Sequence, residues 1–176
     1  MNSRLDTRPA IPAAGEVFEP PLPPAALLRA YQEHGALTDC FAVELPRHLD
    51  LTDYLLAFCH SRLFRLERRL LGLFGRPTRA ADVQALAMGS AHGFAVWRVE
   101  ARVRDQLMMV VEGDRIRTWW MVEPAPTGGT RLLFGSALMP VTEASGRSRR
   151  GVAAPMLALH RWYSRALLRS TVARLG

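Results

Sequence analysis

Residues 94–139 alternate between apolar and polar side chains in four short runs, separated by residues that favour turns. Alternation with a period of two is typical of strands that bury one face. Gly113-Asp114 and the 127–129 segment, Thr-Gly-Gly, are turn sequences of the kind that joins neighbouring strands. Strands joined by such short turns run antiparallel. The sequence therefore predicts an antiparallel meander of four strands at 94–102, 106–111, 115–123 and 131–139.

Residues 155–175 have helical periodicity, and Pro155 fits the first turn of a helix. On a helical wheel the apolar side chains fill one arc, made of Met156, Leu159, Trp162, Tyr163, Ala166, Leu167 and Ala173. The opposite side carries a row of arginines, Arg161, Arg165 and Arg169. The pattern predicts a long C-terminal helix that packs its apolar arc on the sheet and leaves the arginine row in solvent.

The first half of the chain is predicted to form a short helix at 25–33, a strand at 37–45 and then a helical stretch at 51–74. Asp50 stands where a helix N-cap is expected, and a bend is expected near His60-Ser61. The apolar stripe of this stretch is expected to face the core and comprises Leu55, Cys59, Leu66, Leu70 and Leu73. A short apolar segment at 83–88 is a candidate for a further strand.

These elements together predict an α+β fold. A curved antiparallel sheet packs against a long C-terminal helix, with a helical segment after the first strand. Gly135, inside the last strand of the meander, predicts a bulge or bend that curves the sheet. The adjacent Trp119 and Trp120 must place one indole on each face of their strand. Trp120 is expected on the dry face and Trp119 on the face that also carries arginines.

The N-terminal segment 1–24 holds six of the twelve prolines, a density that opposes both helices and central strands. We expect an extended or disordered arm at 1–24, followed by a single domain at 25–176. The alternative is a strap held across the domain by Val17, Phe18 and Leu22.

All 23 basic residues are arginines, and the formal net charge is +7. Arginine binds phosphates and carboxylates in bidentate geometry, so a basic face could recruit nucleic acid or an acidic partner. The complete lack of lysine also fits the codon bias of a GC-rich genome, which is the interpretation we favour. Nucleic acid is therefore not the expected partner.

No apolar run reaches the roughly 18 residues of a membrane span, and the N-terminal stretch lacks the apolar segment of a signal peptide. Cys40 and Cys59 are too few for a disulfide framework and are expected to be reduced and partly buried. A cytoplasmic protein without a membrane span is the expectation.

No motif in the sequence names a reaction. The five histidines are scattered without metal-ligand spacing, and GxSxG, GxGxxG and Walker patterns do not occur. Ser136 lies inside a predicted strand, not at the strand-to-helix turn of a nucleophile. Catalytic residues thus stay unknown, and no metal or cofactor is predicted. Glu67 lies among arginines and is expected to pair with one of them.

The order of strand, helical pair, meander and long helix over 37–175 resembles the helix-grip or START-like superfamily, which includes polyketide cyclases and lipid- or steroid-binding domains. Residues 64–68 (FRLER), 129–136 (GTRLLFGS) and 160–165 (HRWYSR) look like an uncharacterised bacterial set within it. The resemblance implies six or seven strands that grip the last helix around an apolar cavity, whereas the sequence offers five. It implies no common catalytic residues.

The leading hypothesis is a binding protein for a small hydrophobic ligand, in one version anionic, held between the sheet and the C-terminal helix. The predicted lining comprises Trp120, Met156, Leu159, His160, Tyr163 and Leu167. In a second hypothesis a cyclase- or hydrolase-type enzyme uses His160 as acid or base in that cavity. In a third, the row Arg161, Arg165 and Arg169 and the loop 147–150 form an interaction module for nucleic acid or acidic partners.

Overall fold

The structure is a computed structural model that describes residues 13–111, 113–142, 148–149 and 154–176. Its elements in chain order are α1 (Arg29–Glu33), β1 (Leu37–Leu45), α2 (Leu51–His60), α3 (Arg62–Leu73), α4 (Ala80–Met88), β2 (Gly93–Phe94), β3 (Trp97–Val103), β4 (Gln106–Val111), β5 (Ile116–Pro124), β6 (Thr130–Leu138), β7 (Val141–Thr142), β8 (Ser148–Arg149) and α5 (Ala154–Leu175).

Six strands form one curved, open, antiparallel sheet in the order β1-β6-β5-β4-β3-β2. The strands β3 to β6 are the meander, and β1 closes one edge by pairing with β6 from Leu37–Leu138 to Leu45–Thr130. The helix α5 lies on the same side of the sheet as α2. The predicted α+β fold class, a curved sheet against a long C-terminal helix, is confirmed, and the arrangement is consistent with a helix-grip-like one.

The helical segment after β1 begins at Asp50. Its side chain accepts a hydrogen bond from the Asp53 backbone at 2.8 Å, which completes a capping box. Ser61 has an extended backbone and separates α2 from α3, while its side chain caps α3 through the Phe64 backbone. The bend predicted at His60-Ser61 is therefore confirmed, and its cause is an N-cap residue that starts a second helix.

The core between helices and sheet is built around aromatic rings. Phe58 of α2 lies 4.9 Å from Phe64 of α3, 5.2 Å from Phe134 of β6 and 5.3 Å from Trp120 of β5, measured between ring centroids. Aromatic pairs at such distances add to the stabilisation that comes from burying apolar area. One aromatic cluster therefore joins two helices to the centre of the sheet.

The opposite face of the sheet is covered by the segment that precedes β1. Leu22, Ala26 and Leu28 are buried against Trp119 and its neighbours. The backbone of Phe18 pairs with Ala42 at the outer edge of β1. As predicted, Trp119 and Trp120 lie on opposite faces of β5. The described part of the N-terminal arm packs on the domain in the manner of a strap and buries Trp119, whereas Trp120 is buried on the helix side of the sheet.

Three predictions about local structure were wrong. Residues 83–88 lie in the helix α4, because Val83, Leu86 and Ala87 are buried at helical spacing. The strand predicted at 94–102 is divided into β2 and β3 by a tight turn in which Ala95 has a φ of 55°. The irregularity in the sheet lies between Val99 and Ala101 in β3, not at Gly135.

Gly135 keeps regular register with both neighbouring strands. A Cβ atom there would lie 2.5 Å from the Asp39 carbonyl oxygen and 3.2 Å from Cε3 of Trp119. The glycine is thus required by close packing under the arm and not by a bulge.

Cys40 and Cys59 are free and buried. Burial raises the pKa of each thiol to about 12. In the described part of the chain no helix is long and apolar enough to cross a membrane.

Candidate functional site

The six residues predicted to line a cavity lie in three different environments. Trp120 and Leu167 belong to the buried core, whereas Met156 and Leu159 are 64% and 63% exposed. His160 and Tyr163 lie between these two groups, with His160 at the sheet and Tyr163 at α3. Two surface cavities, of about 240 and 470 Å³, are lined by none of the six residues. Ligand contact by these residues stays a prediction.

The helices α3 and α5 pack side by side and run in opposite directions. The Leu63 backbone donates a hydrogen bond to the Ser170 side chain at 3.2 Å, and Tyr163 Oη donates to Glu67 Oε2 at 2.5 Å. With a rise of about 1.5 Å per residue, extending this register by one turn brings Leu70 beside Leu159. Residues near the end of α3 thus adjoin residues near the start of α5.

The outer surface of these two helices is apolar. Seven large apolar side chains are half or more exposed there: Leu66, Leu70, Leu73, Phe74, Met156, Leu159 and Trp162. We call this surface the apolar strip. The prediction that Leu66, Leu70 and Leu73 face the core was wrong, because α3 turns Phe64 inward instead. The prediction that the whole apolar arc of α5 packs on the sheet was also wrong, because α5 buries Ser164, Leu168 and Thr171 with Leu167 and leaves the outer part of the arc exposed.

Arginines flank the apolar strip on both sides. At about 100° per residue, Arg62, Arg65 and Arg69 lie on the side of α3 away from α5. The row Arg161, Arg165 and Arg169 lies on the side of α5 away from α3. Each helix contains four arginines, and the two helices together contain one carboxylate, Glu67.

Glu67 lies in the seam between the two helices. Its expected pairing with an arginine was wrong, because Tyr163 is its hydrogen-bond partner and the nearby Arg68 donates to Thr78 and to the Cys59 carbonyl. Burial raises the pKa of Glu67, and the Tyr163 hydrogen bond opposes that rise. Burial is the larger cause that raises the pKa of Tyr163, and the hydrogen bond to Glu67 raises it further. The seam under the strip thus contains a carboxylate that is costly to ionise.

A polar cluster connects α5 to the sheet on its other side. Asp39 Oδ1 accepts hydrogen bonds from the Ser136 backbone at 2.7 Å and from Ser136 Oγ at 2.9 Å. His160 Nε2 lies 2.8 Å from Ser136 Oγ and 3.0 Å from Asp39 Oδ2. The side chains of Asp39 and Ser136 are largely buried, whereas that of His160 is 41% exposed.

This cluster contains the residue types of a serine hydrolase but not the geometry. In a catalytic triad the carboxylate binds Nδ1 of the histidine and leaves Nε2 for the serine hydroxyl. Here Asp39 and Ser136 approach the same nitrogen of His160. The arrangement suits a polar cross-link between helix and sheet, and the role of His160 as acid or base stays a prediction.

Two features of the site lay beyond sequence reasoning. Asp39 and Ser136 are 97 positions apart, and only the antiparallel register of β1 and β6 pairs them. The exposure of the apolar strip depends on which side of α3 faces the core, and the sequence does not specify that orientation. The strong amphipathic pattern of α3 is visible in the sequence, but it does not show whether the apolar stripe faces the core or solvent.

Among the described residues, no three His, Cys, Asp or Glu side chains are grouped so that they could hold a metal ion. Comparison of the chain with protein-family models, with curated proteins and with solved structures found no match.

Proposed function

We propose that this protein binds the surface of an anionic lipid bilayer through the apolar strip. The observation that carries the proposal is the exposure, by half or more, of seven large apolar side chains on two adjacent helices and the C-cap of α3, flanked by arginine rows. Contiguous exposed apolar surface of this kind marks an interaction site in a folded protein.

The apolar part of the surface has the chemistry of a helix that lies in a membrane interface. Such helices combine leucine and aromatic residues on one face with arginine or lysine on the other. Phe74 and Trp162 provide the aromatic rings, and they are 82% and 62% exposed. Burying these side chains among lipid headgroups and acyl chains would remove them from water.

The charges select an anionic surface. Arg62, Arg65 and Arg69 on one side and Arg161 and Arg169 on the other have exposed side chains. Each arginine near an anionic leaflet contributes about 1 kcal/mol of attraction. Hydrophobic and electrostatic terms therefore favour the same orientation of the protein.

A second copy of the chain fits the strip less well. Any two-fold pairing of the strip on itself would place one arginine row against another, because both flanks are basic. Like charges at an interface oppose association.

An anionic lipid has the same chemistry as the hydrophobic, anionic ligand hypothesised from the sequence. The proposed binding surface, however, lies on the outside of the protein and not in an internal cavity. Met156 and Leu159 are accessible there, whereas Trp120 and Leu167 are enclosed by the core. The resemblance to lipid-binding helix-grip proteins supports the same chemistry at the level of fold alone.

Co-sedimentation with vesicles tests the proposal. The protein is expected to bind vesicles of phosphatidylglycerol and phosphatidylcholine and to bind pure phosphatidylcholine much less. Leu159→Ser should lower binding to the mixed vesicles. Met88→Ser is the matched control, because Met88 lies in α4 outside the strip and is 66% exposed, close to the 63% of Leu159.

A second pair of variants tests the charge. Arg69→Gln should weaken binding and reduce its salt dependence, whereas Arg104→Gln, in the β3–β4 turn, should change it little. Equal effects of Leu159→Ser and Met88→Ser would refute the proposal. Self-association of the wild-type chain that Leu159→Ser abolishes would assign the strip to a second copy instead.

A further inference from the structure

The N-terminal arm places a carboxylate on the arginine row of α5. Glu19 accepts hydrogen bonds from the guanidinium groups of both Arg161 and Arg165. The arm backbone next to Glu19 is held to β1, since Phe18 and Ala42 exchange hydrogen bonds of 3.0 and 2.9 Å. Glu19 is therefore held where one acidic side chain meets two arginines one turn apart.

Glu19 does not satisfy every hydrogen-bond donor of the two arginines. Arg165 Nε is buried and has no hydrogen-bond partner among the residues that the structure describes. The guanidinium group of Arg165 also lies over the ring of Phe41, 5.7 Å from its centroid, which fixes its position. A pre-oriented arginine with an unused donor is suited to an anion that has more acceptor atoms than one carboxylate.

The ion pairs with Glu19 are displaceable. The side chains of Arg161 and Arg165 are 47% and 43% exposed and that of Glu19 is 26% exposed, and ion pairs with this access to solvent contribute little net stability. Because the backbone at Phe18 holds the arm, only the Glu19 side chain has to move to free both guanidinium groups.

We infer that Arg161 and Arg165 form the binding site for the phosphate group of an anionic lipid, and that Glu19 occupies this site in the unbound protein. The inference rests on the proposed binding of anionic bilayers and adds the headgroup site to it. The site lies beside Trp162, so a phosphate at the two arginines leaves its acyl chains next to the apolar strip. Glu19 then acts as an internal competitor that lowers affinity for the bilayer.

Vesicle titration of matched variants tests the competitor. Glu19→Gln should raise affinity for phosphatidylglycerol vesicles about fivefold, the effect of roughly one charge at the membrane. Glu16→Gln removes the same charge from the same arm, but Glu16 contacts the Ala13 backbone and not the arginines. It should change affinity by less than about twofold because salt screens distant charges. In an Arg165→Gln background, Glu19→Gln should lose most of its effect.

A soluble probe tests the site without a bilayer. Dihexanoyl phosphatidylglycerol should shift the NMR signal of Arg165 Nε–H, and at lower concentration in Glu19→Gln than in the wild type. An unshifted signal in both proteins, or equal effects of Glu19→Gln and Glu16→Gln, would overturn the headgroup site. If Leu159→Ser still weakens vesicle binding in that case, bilayer binding stands and only the headgroup site fails.

Discussion

The indole N–H of Trp119 donates a hydrogen bond of 2.9 Å to Gln106 Oε1, and both side chains are buried. The same oxygen accepts from the Leu27 backbone at 3.0 Å, and Gln106 Nε2 donates to the Ala25 carbonyl at 2.9 Å. One amide thus connects the sheet to the segment that covers it. The next residue, Trp120, has no hydrogen-bond partner for its own indole N–H among the described residues.

This difference predicts unequal effects of the same substitution at neighbouring positions. Trp119→Phe and Trp120→Phe remove the same atoms from buried sites, but only the first breaks a hydrogen bond. Trp119→Phe should therefore cost about 1–2 kcal/mol more than Trp120→Phe in the free energy of unfolding. Urea unfolding followed by circular dichroism measures both, and equal losses would contradict the prediction.

Glycine substitutions should have opposite signs at two positions. Gly135→Ala places a Cβ atom 2.5 Å from the Asp39 carbonyl oxygen, so strands must shift and the protein should lose about 1–3 kcal/mol. Gly72→Ala, in the helix α3, meets no atom closer than 3.7 Å and should stabilise by up to about 1 kcal/mol. Thermal unfolding of both variants provides the comparison. A Gly135→Ala protein as stable as the wild type would contradict the close packing of Gly135 against β1.

The polar cluster at α5 predicts a ranking of two variants. Asp39→Ala leaves the buried Ser136 groups without their acceptor and should cost about 1–3 kcal/mol. His160→Gln should cost less, because His160 is 41% exposed and water can replace its contacts. A larger loss of unfolding free energy for His160→Gln would show that the histidine contributes more than a cross-link.

Glu67 predicts a pH dependence of stability. Burial raises its pKa in the folded chain above the ordinary value of 4.5. Between the ordinary and the raised pKa the folded state binds more protons than the unfolded state, so stability should fall as pH rises through this range. Glu67→Gln removes that loss and still accepts a hydrogen bond from Tyr163.

The measurement is the free energy of unfolding from about pH 4 to about pH 7. The free energy of unfolding of Glu67→Gln minus that of the wild type should rise with pH and then stay constant. Glu33→Gln, at the exposed end of α1, is the control. If this difference falls as pH rises, the folded state favours the ionised carboxylate, which would contradict the prediction.

Much of the fold followed from local patterns. Alternation and turn residues located β4 to β6 within a residue or so, and Asp50, Ser61 and Pro155 marked helix boundaries. These signals are local, because a strand or a cap is specified by residues close together in the chain. The strand prediction for 83–88 was wrong because a short apolar run does not distinguish a strand from one buried side of a helix.

The candidate site was predicted only in part. The sequence placed Tyr163 in the apolar arc of α5 and singled out His160 as a lining residue, and both make polar contacts with neighbouring elements. Their partners, Ser136 and Glu67, depend on which elements lie beside α5. A helical wheel orders the residues around one helix, but it does not say which part of the circle faces the neighbouring elements.

The amino-acid sequence alone determined most of the element types, the antiparallel meander, the arginine-only basic surface and the amphipathic character of α3. Only the tertiary structure decided which apolar residues are buried. Phe64 and Leu167 enter the core, whereas Leu70 and Leu159, with similar hydrophobicity, remain in contact with solvent. The reason is that hydrophobic burial is non-directional, and the limited area of the sheet, already covered by α2 and the core-facing side of α5, leaves no room for every apolar side chain.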